Sequence, residues 1–484
     1  MSKQKSLKLN FIMNAILTMS SFLFPLITFP YVSRVLLPAG TGRVSFANSV
    51  VTYFVMISQL GIPTYGIRAC AVVRDNPVKL KKTVYELFII NVFMSILAYA
   101  VFFIAMASVP RLRADRNLFL ITSTLIFFNT IGVEWLYKAL EQYTYITVRS
   151  IIFKFVALIA MFVLVRDADD YVIYGGISIF AASASNVFNF LRLRKILGKR
   201  KVSGLNLRRH FKPVFTFFII SCATTIYTNL DNVMLGFMKD DIEVGYYNAA
   251  TKIKNILVSI VTSLGTVLMP RAAYYIEQEM WDEFYKLSKK AIKFVLIAAT
   301  SMMIYFMIYA REGVLFLSGD AFEGAVIPMM IVMPTLLFIG LTNIMGIQML
   351  IPMGLENAVM ISTFAGAIAD LILNAILIPF FGSAGAAIGT LVAEFIVFIV
   401  QMVYLKKDIA YLYSKQNYIK IIAALIVAMI GAVAVKVLIS GIFIKLVVSA
   451  VLFFGLYVIM LYIMREEVIT ENVNRILSRF IKSK

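Results

Sequence analysis

Residues 11–37 read FIMNAILTMSSFLFPLITFPYVSRVLL. A helix of ~20 apolar residues spans the ~30 Å core of a bilayer, and this run is long enough to do so. Lys3, Lys5 and Lys8 precede it, as in the basic start of a secretion signal. The run has no small-x-small cleavage pattern, so it is read as a retained first membrane helix. Similar segments recur outward along the chain. They predict fourteen spans, near 11–36, 43–67, 84–109, 118–138, 146–165, 171–191, 213–237, 245–268, 291–310, 325–345, 358–379, 383–405, 418–438 and 442–463. The chain reads as an all-α polytopic membrane protein.

Composition supports that class. The chain is 61% hydrophobic and 15% charged, against about 25% charged in soluble domains. No polar stretch is long enough for a large soluble domain. The formal charge of +20 is a topology signal, not a nucleic-acid footprint, because Lys and Arg crowd alternate connections. One set holds the N-terminal lysines, then Arg68, Arg74, Lys79, Lys81 and Lys82, then Lys138 and Arg149. A stretch from Arg192 to Lys212 holds nine basic residues. Arg271, Lys286, Lys289, Lys290 and Lys293 follow, then Lys406, Lys407, Lys415 and Lys420, then the tail. The other set is poorer in basic residues and partly acidic: Asp167, Asp169 and Asp170, then Asp240, Asp241 and Glu243. Basic connections stay in the cytoplasm, so both termini are expected there.

The nine-charge stretch divides the spans. The expected boundaries are 1–191 for a first lobe of six spans, 192–212 for a basic cytoplasmic linker, and 213–405 for a second lobe of six. Two further spans fill 406–463, and 464–484 is a cytoplasmic tail. Gly42 stands 26 residues before Arg68, and Gly245 stands 26 before Arg271. That thin internal match puts spans 1–2 and 7–8 in equivalent places. Tyr274 to Ala291 alternates aromatic and charged residues and predicts an in-plane interfacial helix. Cys70, Cys222 and the one histidine, His210, make neither a disulfide nor a Cys/His metal cluster. No Gly-Lys-Ser/Thr phosphate loop is present, which argues against ATP-driven transport by this chain.

Ionisable groups at membrane depth each cost about 2.5–3.5 kcal/mol on insertion scales. They face a partner, a protein interior or water. Arg34 shares its span with Pro25 and Pro30, which bend helices; it lines a cavity or snorkels to the surface. Thr228-Asn229-Leu230-Asp231-Asn232 is too polar for lipid and lines a cavity or ties helices together. Lys252 and Lys254 lie two apart on different helix faces. A cavity-facing lysine is a point charge for phosphate; the alternative for Lys252 is a structural ion pair with Asp231. Glu134, Trp135 and Tyr137 read as an interfacial group with Glu134 paired to Lys138 at i+4, and Lys154 as structural or snorkelling. Glu86 is read as solvated near the inner surface. Asp370 and Glu394 pair with basic groups or bind a coupling proton or cation. Phe381 to Gly389 reads as a tight turn followed by a close helix contact through Gly385 and Gly389.

Several stretches together resemble the bacterial polysaccharide-repeat flippases of the multidrug/oligosaccharidyl-lipid/polysaccharide exporter superfamily. Phe29-Pro30-Tyr31-Val32-Ser33-Arg34-Val35-Leu36 is similar to their first-helix signature. Leu37-Pro38-Ala39-Gly40-Thr41-Gly42 keeps the Pro and both glycines of the usual continuation but lacks its first Gly and its Tyr. Glu134-Trp135-Leu136-Tyr137-Lys138-Ala139-Leu140-Glu141 resembles another family segment and departs from it at Lys138 and Ala139. Asp169-Asp170-Tyr171, Gly245-Tyr246-Tyr247-Asn248-Ala249-Ala250 and Gly385-Ala386-Ala387-Ile388-Gly389-Thr390 fit as well. The resemblance implies two six-helix lobes around a central cavity, two extra helices, and alternating access. It implies a polyprenyl-pyrophosphate-linked oligosaccharide as substrate and a polysaccharide polymerase among the partners. Arg34 and Lys252 match the places of pyrophosphate-binding residues in related lipid II flippases. Lys254 has no such support, and Asp231 is a less secure match.

The chemistry agrees with that expectation. A pyrophosphate cannot cross hydrocarbon uncompensated, whereas a cationic, water-filled cavity lowers the barrier. No cofactor is expected beyond a proton or Na+ gradient or the membrane potential. A cation-coupled multidrug antiporter would call for an acidic cavity, and a lipid II flippase is a third transport reading. A membrane glycosyltransferase or polymerase would need a large outer loop or an acidic catalytic motif. A structural scaffold would leave the buried charges unexplained.

Overall fold

The structure is a computed structural model that describes residues 7–198, 204–406 and 418–482. Lys3, Lys5, the Lys199–Lys201 part of the linker, Lys407 and Lys415 lie outside the described residues. The described residues are helical throughout, with no strand among them. By contacts the chain divides into two compact units, residues 1–245 and 246–484.

Unit 1 contains α1 (Leu7–Gln59), α2 (Ile62–Val72), α3 (Pro77–Ser108), α4 (Pro110–Ala114), α5 (Arg116–Gly132), α6 (Glu134–Ala139), α7 (Tyr143–Leu164), α8 (Tyr171–Ile179), α9 (Asn186–Leu197) and α10 (Arg208–Met238). Helix α11 (Asp241–Glu277) starts in unit 1 and continues into unit 2. Unit 2 adds α12 (Trp281–Ile308), α13 (Ala310–Ser318), α14 (Val326–Val332), α15 (Thr335–Thr342), α16 (Glu356–Tyr404), α17 (Tyr418–Leu438), α18 (Ile442–Ile463) and α19 (Glu467–Lys482). The contact boundary therefore falls at Gly245, whereas the charge pattern divides the chain at 192–212. The reason is that α10 packs on α1 and α2.

Ten helices are long and apolar enough to cross a membrane, or up to twelve if each of two bent pairs counts as one span. The expected fourteen is thus not returned as a count of continuous helices. The difference lies in α1 and α16, which run 53 and 49 residues, near twice what a bilayer core needs. Each contains a break. In α1 it is Leu37, at φ 59° and ψ 178°, directly before Pro38. The residue before a proline is disfavoured in the α region, and of the three prolines in α1 only Pro38 is preceded by a break; Pro25 and Pro30 are accommodated within the helix. In α16 it is Gly382, at φ 54°, a conformation that glycine adopts without a Cβ penalty.

Past Gly382 the second half of α16 folds back on the first. Gln401 donates to Ser362 at 3.2 Å. A Cβ on Gly389 would overlap Asn374, and one on Gly385 would sit 2.6 Å from the Leu377 carbonyl. Positions thus pair inward toward the turn, as two antiparallel helices require. The small residues expected to mediate a close contact do so.

The first half of α1 and α7 show the opposite pattern. Thr147 donates to the Met13 carbonyl at 2.8 Å. Lys154 donates to Ser20 at 2.9 Å, and Tyr31 to the Val165 carbonyl at 2.7 Å. All three bonds join residues 134 apart, so the two helices run parallel and in register. Lys154 is structural, as its position predicts. Apolar packing of Val32 and Leu36 against Ala157, Met161 and Val165 fills the same seam.

Two expectations change. Residues 274–291 do not form a separate in-plane helix. They end α11, turn at Gln278–Met280 with Glu279 at φ 56°, and begin α12. Trp135 and Tyr137 are 3% and 0% exposed, so their rings pack inside the protein and are not presented to lipid headgroups. Gly66 makes room for the Trp135 ring, and the Tyr137 hydroxyl donates to the Asn189 carbonyl at 2.6 Å.

Candidate functional site

The candidate residues fall in both units, and each unit is described by itself. In unit 1, Val32, Ser33 and Leu36 are buried, and helical geometry turns Arg34 to the opposite face. Arg34 is exposed there, with its guanidinium donating to the Pro30 carbonyl at 2.6 Å. The bond shortens the side chain's reach and holds it against its own helix.

Helix α10 carries the polar run. Thr228 is exposed and Asn229 half-buried. The Asn229 amide donates to the Thr225 carbonyl at 3.1 Å and to the Thr228 hydroxyl at 3.0 Å. Ser221, Thr225, Thr228 and Asn232 lie on one face with Asn229. Asp231 lies off that stripe and is 6% exposed. The side-chain oxygens of Asn48 on α1 and Asn232 on α10 are buried without a protein partner. Such atoms require water or a ligand hydroxyl.

The two repeat glycines meet in unit 1. A Cβ on Gly42 would collide with the Asp241 carbonyl, and one on Gly245 with the Pro38 carbonyl. Arg43 pairs with Asp241 at 3.2 Å, and Arg111 reaches the same carboxylate. Positions matched by the internal repeat are therefore also in contact.

In unit 2, Lys252 and Lys254 are half-buried on α11, beside buried Ala249, Ala250 and Ile253. Asp370 is 1% exposed, on the seam of the α16 hairpin. Asn374, one turn on, and Gly389 across the turn share that seam, and the Thr390 hydroxyl bonds Tyr247 at 2.8 Å. Glu394, one turn beyond Thr390, is also buried. Asp370 and Glu394 thus stand on the two legs of one hairpin.

Sequence reading missed one network. Glu86 is fully buried and not solvated. It accepts from His210 Nε2 at 2.9 Å, from Arg209 and from the Asn206 backbone N–H. Tyr65 bonds the other ring nitrogen of His210 at 2.9 Å. The network ties α3 to the start of α10. The only sequence signal was a lone histidine beside arginines at a span's edge.

The sequence profile of the family described as "Polysaccharide biosynthesis protein" matches residues 7–276. The chain belongs to that family. The matched residues include Arg34, Asn229, Asp231, Lys252 and Lys254; Asp370 and Glu394 lie beyond them. A protein named "Putative O-antigen transporter" from Escherichia coli K12 is 26% identical over 412 residues, covering 83% of this chain and 97% of that protein. One of the same name from Shigella dysenteriae is 22% identical over 382 residues, covering 78% and 94%. The fold matches a solved structure of the lipid II flippase MurJ at a TM-score of 0.70 and 15% identity, covering 94% of this chain and all of that one. It matches an inward-facing MATE multidrug transporter at 0.60 and 13% identity, covering 84% and 100%. This family member is a membrane protein of the transporter fold, and its named relatives are transporters, not enzymes.

Proposed function

We propose that this chain is a flippase for polyprenyl-pyrophosphate-linked oligosaccharide repeat units. It moves them from the inner to the outer leaflet of the bacterial plasma membrane by alternating access, for assembly of a surface polysaccharide. Both termini are cytoplasmic in this reading. The observation that carries it is Arg34, a cation on the exposed face of a membrane-spanning helix whose other face is closed packing. Such a group is costly unless it meets water or an anion.

Arg34 and Lys252 bind the pyrophosphate, with Lys254 as a second lysine. Arg presents a planar fork to phosphate and Lys a point charge. The polar stripe around Asn229 offers donors and acceptors for sugar hydroxyls, and Asp231 limits the positive potential so that the headgroup can leave. Asp370 is assigned to a coupling proton or Na+, because it is a buried carboxylate that shares its seam with the Asn374 amide. Glu394 is the second coupling candidate. The membrane potential contributes about 2.3 kcal/mol per charge per 100 mV, favouring outward movement of an anion.

The test is the sidedness of lipid-linked oligosaccharide in cells depleted of the protein. Inner-leaflet accumulation rescued by wild type, but not by Arg34→Ala or Lys252→Ala, is expected. Unchanged sidedness sinks the flippase assignment. Drug efflux by the same cells would move the chain to the antiporter reading.

A further inference from the structure

Unit 1 holds a cavity of about 770 Å³, lined by residues other than Arg34 and the α10 stripe. Helix α7 lines it with one stripe, Tyr145, Val148, Arg149, Ile152 and Phe153. These positions are three and four apart and so share a face. Phe188 and Arg192, one turn apart on α9, also line it, as do the turns at Arg74–Asp75 and Glu141–Gln142.

What distinguishes this cavity is unmet hydrogen bonding on its lining. Arg149 is only 8% exposed. Its Nη2 donates to Asn186 at 3.2 Å, but Nε and Nη1 have no partner. The nearest carboxylate, Glu134, is 3.9 Å away and is paired with Lys138 at 2.9 Å. Glu134 and the Tyr145 ring, 5.8 Å from the guanidinium, offset part of its charge, but two buried N–H groups are left without acceptors, which an anion in the cavity would supply. The oxygens of Asn10, Gln142 and Thr144 on the same lining are also buried without partners. Arg192 adds positive charge, stacked 4.2 Å over the Tyr145 ring. Arg74 is paired with Glu141 at 2.7 Å, and Asp75 is the other carboxylate on the lining.

The ligand that satisfies this set accepts hydrogen bonds at one end and donates them close by. A phosphate ester with hydroxyl groups does both. The rim is apolar: Val148, Ile152 and Phe188 are each about half exposed, at 48%, 54% and 49%. They lie on helices of membrane-spanning composition, so an acyl or prenyl chain can leave along them. We propose that this cavity binds the phosphate headgroup of a glycerol- or sugar-phosphate lipid, with Arg149 as its central contact. The site shares no residue with Arg34, Lys252 or the α10 stripe assigned to transport.

The test uses the purified full chain in detergent, with binding read by titration and fold by thermal unfolding. The probes are a short-chain phosphoglycerol lipid, its phosphocholine counterpart and soluble glycerol 3-phosphate. Saturable binding of the phosphoglycerol lipid is expected. Phosphocholine, which lacks the hydroxyls, should bind more weakly. Arg149→Gln should weaken the phosphoglycerol lipid by roughly tenfold or more, the loss of at least one charge-assisted hydrogen bond. Val148→Trp fills the rim from a half-exposed position and should block binding while the unfolding temperature holds. It carries the test if Arg149→Gln misfolds. No binding, or equal binding by wild type and folded variants, overturns the proposal. Glycerol 3-phosphate binding as tightly as the lipid overturns the lipid assignment.

Discussion

At the scale of single residues, Gly389 shows how the α16 seam is set. A Cβ there would overlap the Asn374 oxygen and stand 3.1 Å from Asp370 Oδ1. Both neighbours are almost wholly buried, so they have little space to retreat. Gly389→Ala should cost about 1–3 kcal/mol through overpacking, read as a lower unfolding temperature. It should also blunt the ion dependence of transport in proteoliposomes, because it displaces the carboxylate assigned to coupling. Unchanged stability together with unchanged ion dependence would refute both parts. Asp370 and Arg34 were legible in the sequence because a charge inside an apolar run is conspicuous. Glu86 and Arg149 were not. Each sits near a span's end, where a charge is ordinary, and their burial arises from helices far away in sequence. Even so, Arg149 falls in a stripe with Tyr145, Val148, Ile152 and Phe153, a helical period that marks one shared face.

Among the elements, the tail helix α19 is held by a buried cation. Lys293 on α12 is 8% exposed and pairs with Glu466 at 2.8 Å and Glu467 at 3.0 Å. Glu466 is 1% exposed, so Lys293→Met would leave a buried carboxylate unpaired. Breaking such a pair typically costs about 3–5 kcal/mol, whereas Lys293→Arg should retain most of it. Hydrogen exchange across residues 467–474 checks this, with faster exchange expected in the Met variant alone. The hydrogen bond from Lys293 holds the Glu467 carboxyl below its usual range. A depressed folded value means that its contribution is present above the ordinary carboxylate range, near 4.3. It is lost as pH falls through the lower folded value. Glu467 is largely exposed, so screening keeps that contribution small. Protection of α19 should therefore fall in acid, and less steeply in Glu467→Gln. The span of α12 was legible because apolar length is a local property, whereas α19 was read only as a tail. The break at Leu37 was not legible, since the prolines expected to bend the span were Pro25 and Pro30; the one at Gly382 was, from its small-residue context. The continuity of 274–291 with α11 and α12 was not, since an amphipathic stretch looks the same lying on a membrane or extending a span.

For the whole molecule, charge asymmetry and helix register bear on the same question. The first half of α1 and α7 run parallel, with bonds at a constant separation of 134 residues. Spans 1 and 5 of an alternating chain must run parallel, and an odd number of missed or added spans between them would have made them antiparallel. The alternation of basic and acidic connections rests on that parity. The proposed orientation puts Asp169, in the capped turn before α8, on the outside, and Gln278, in the turn after α11, on the inside. Both are exposed. Single cysteines at these positions, in a Cys70→Ser and Cys222→Ser background, give a direct reading. Asp169→Cys should react with an impermeant maleimide on intact cells, and Gln278→Cys only after permeabilisation. Reversed labelling would invert the orientation and overturn the cytoplasmic placement of both termini. Labelling of both from one side would mean an even number of crossings between residues 169 and 278, with the bend between Ser263 and Leu268 as the place where the chain turns back.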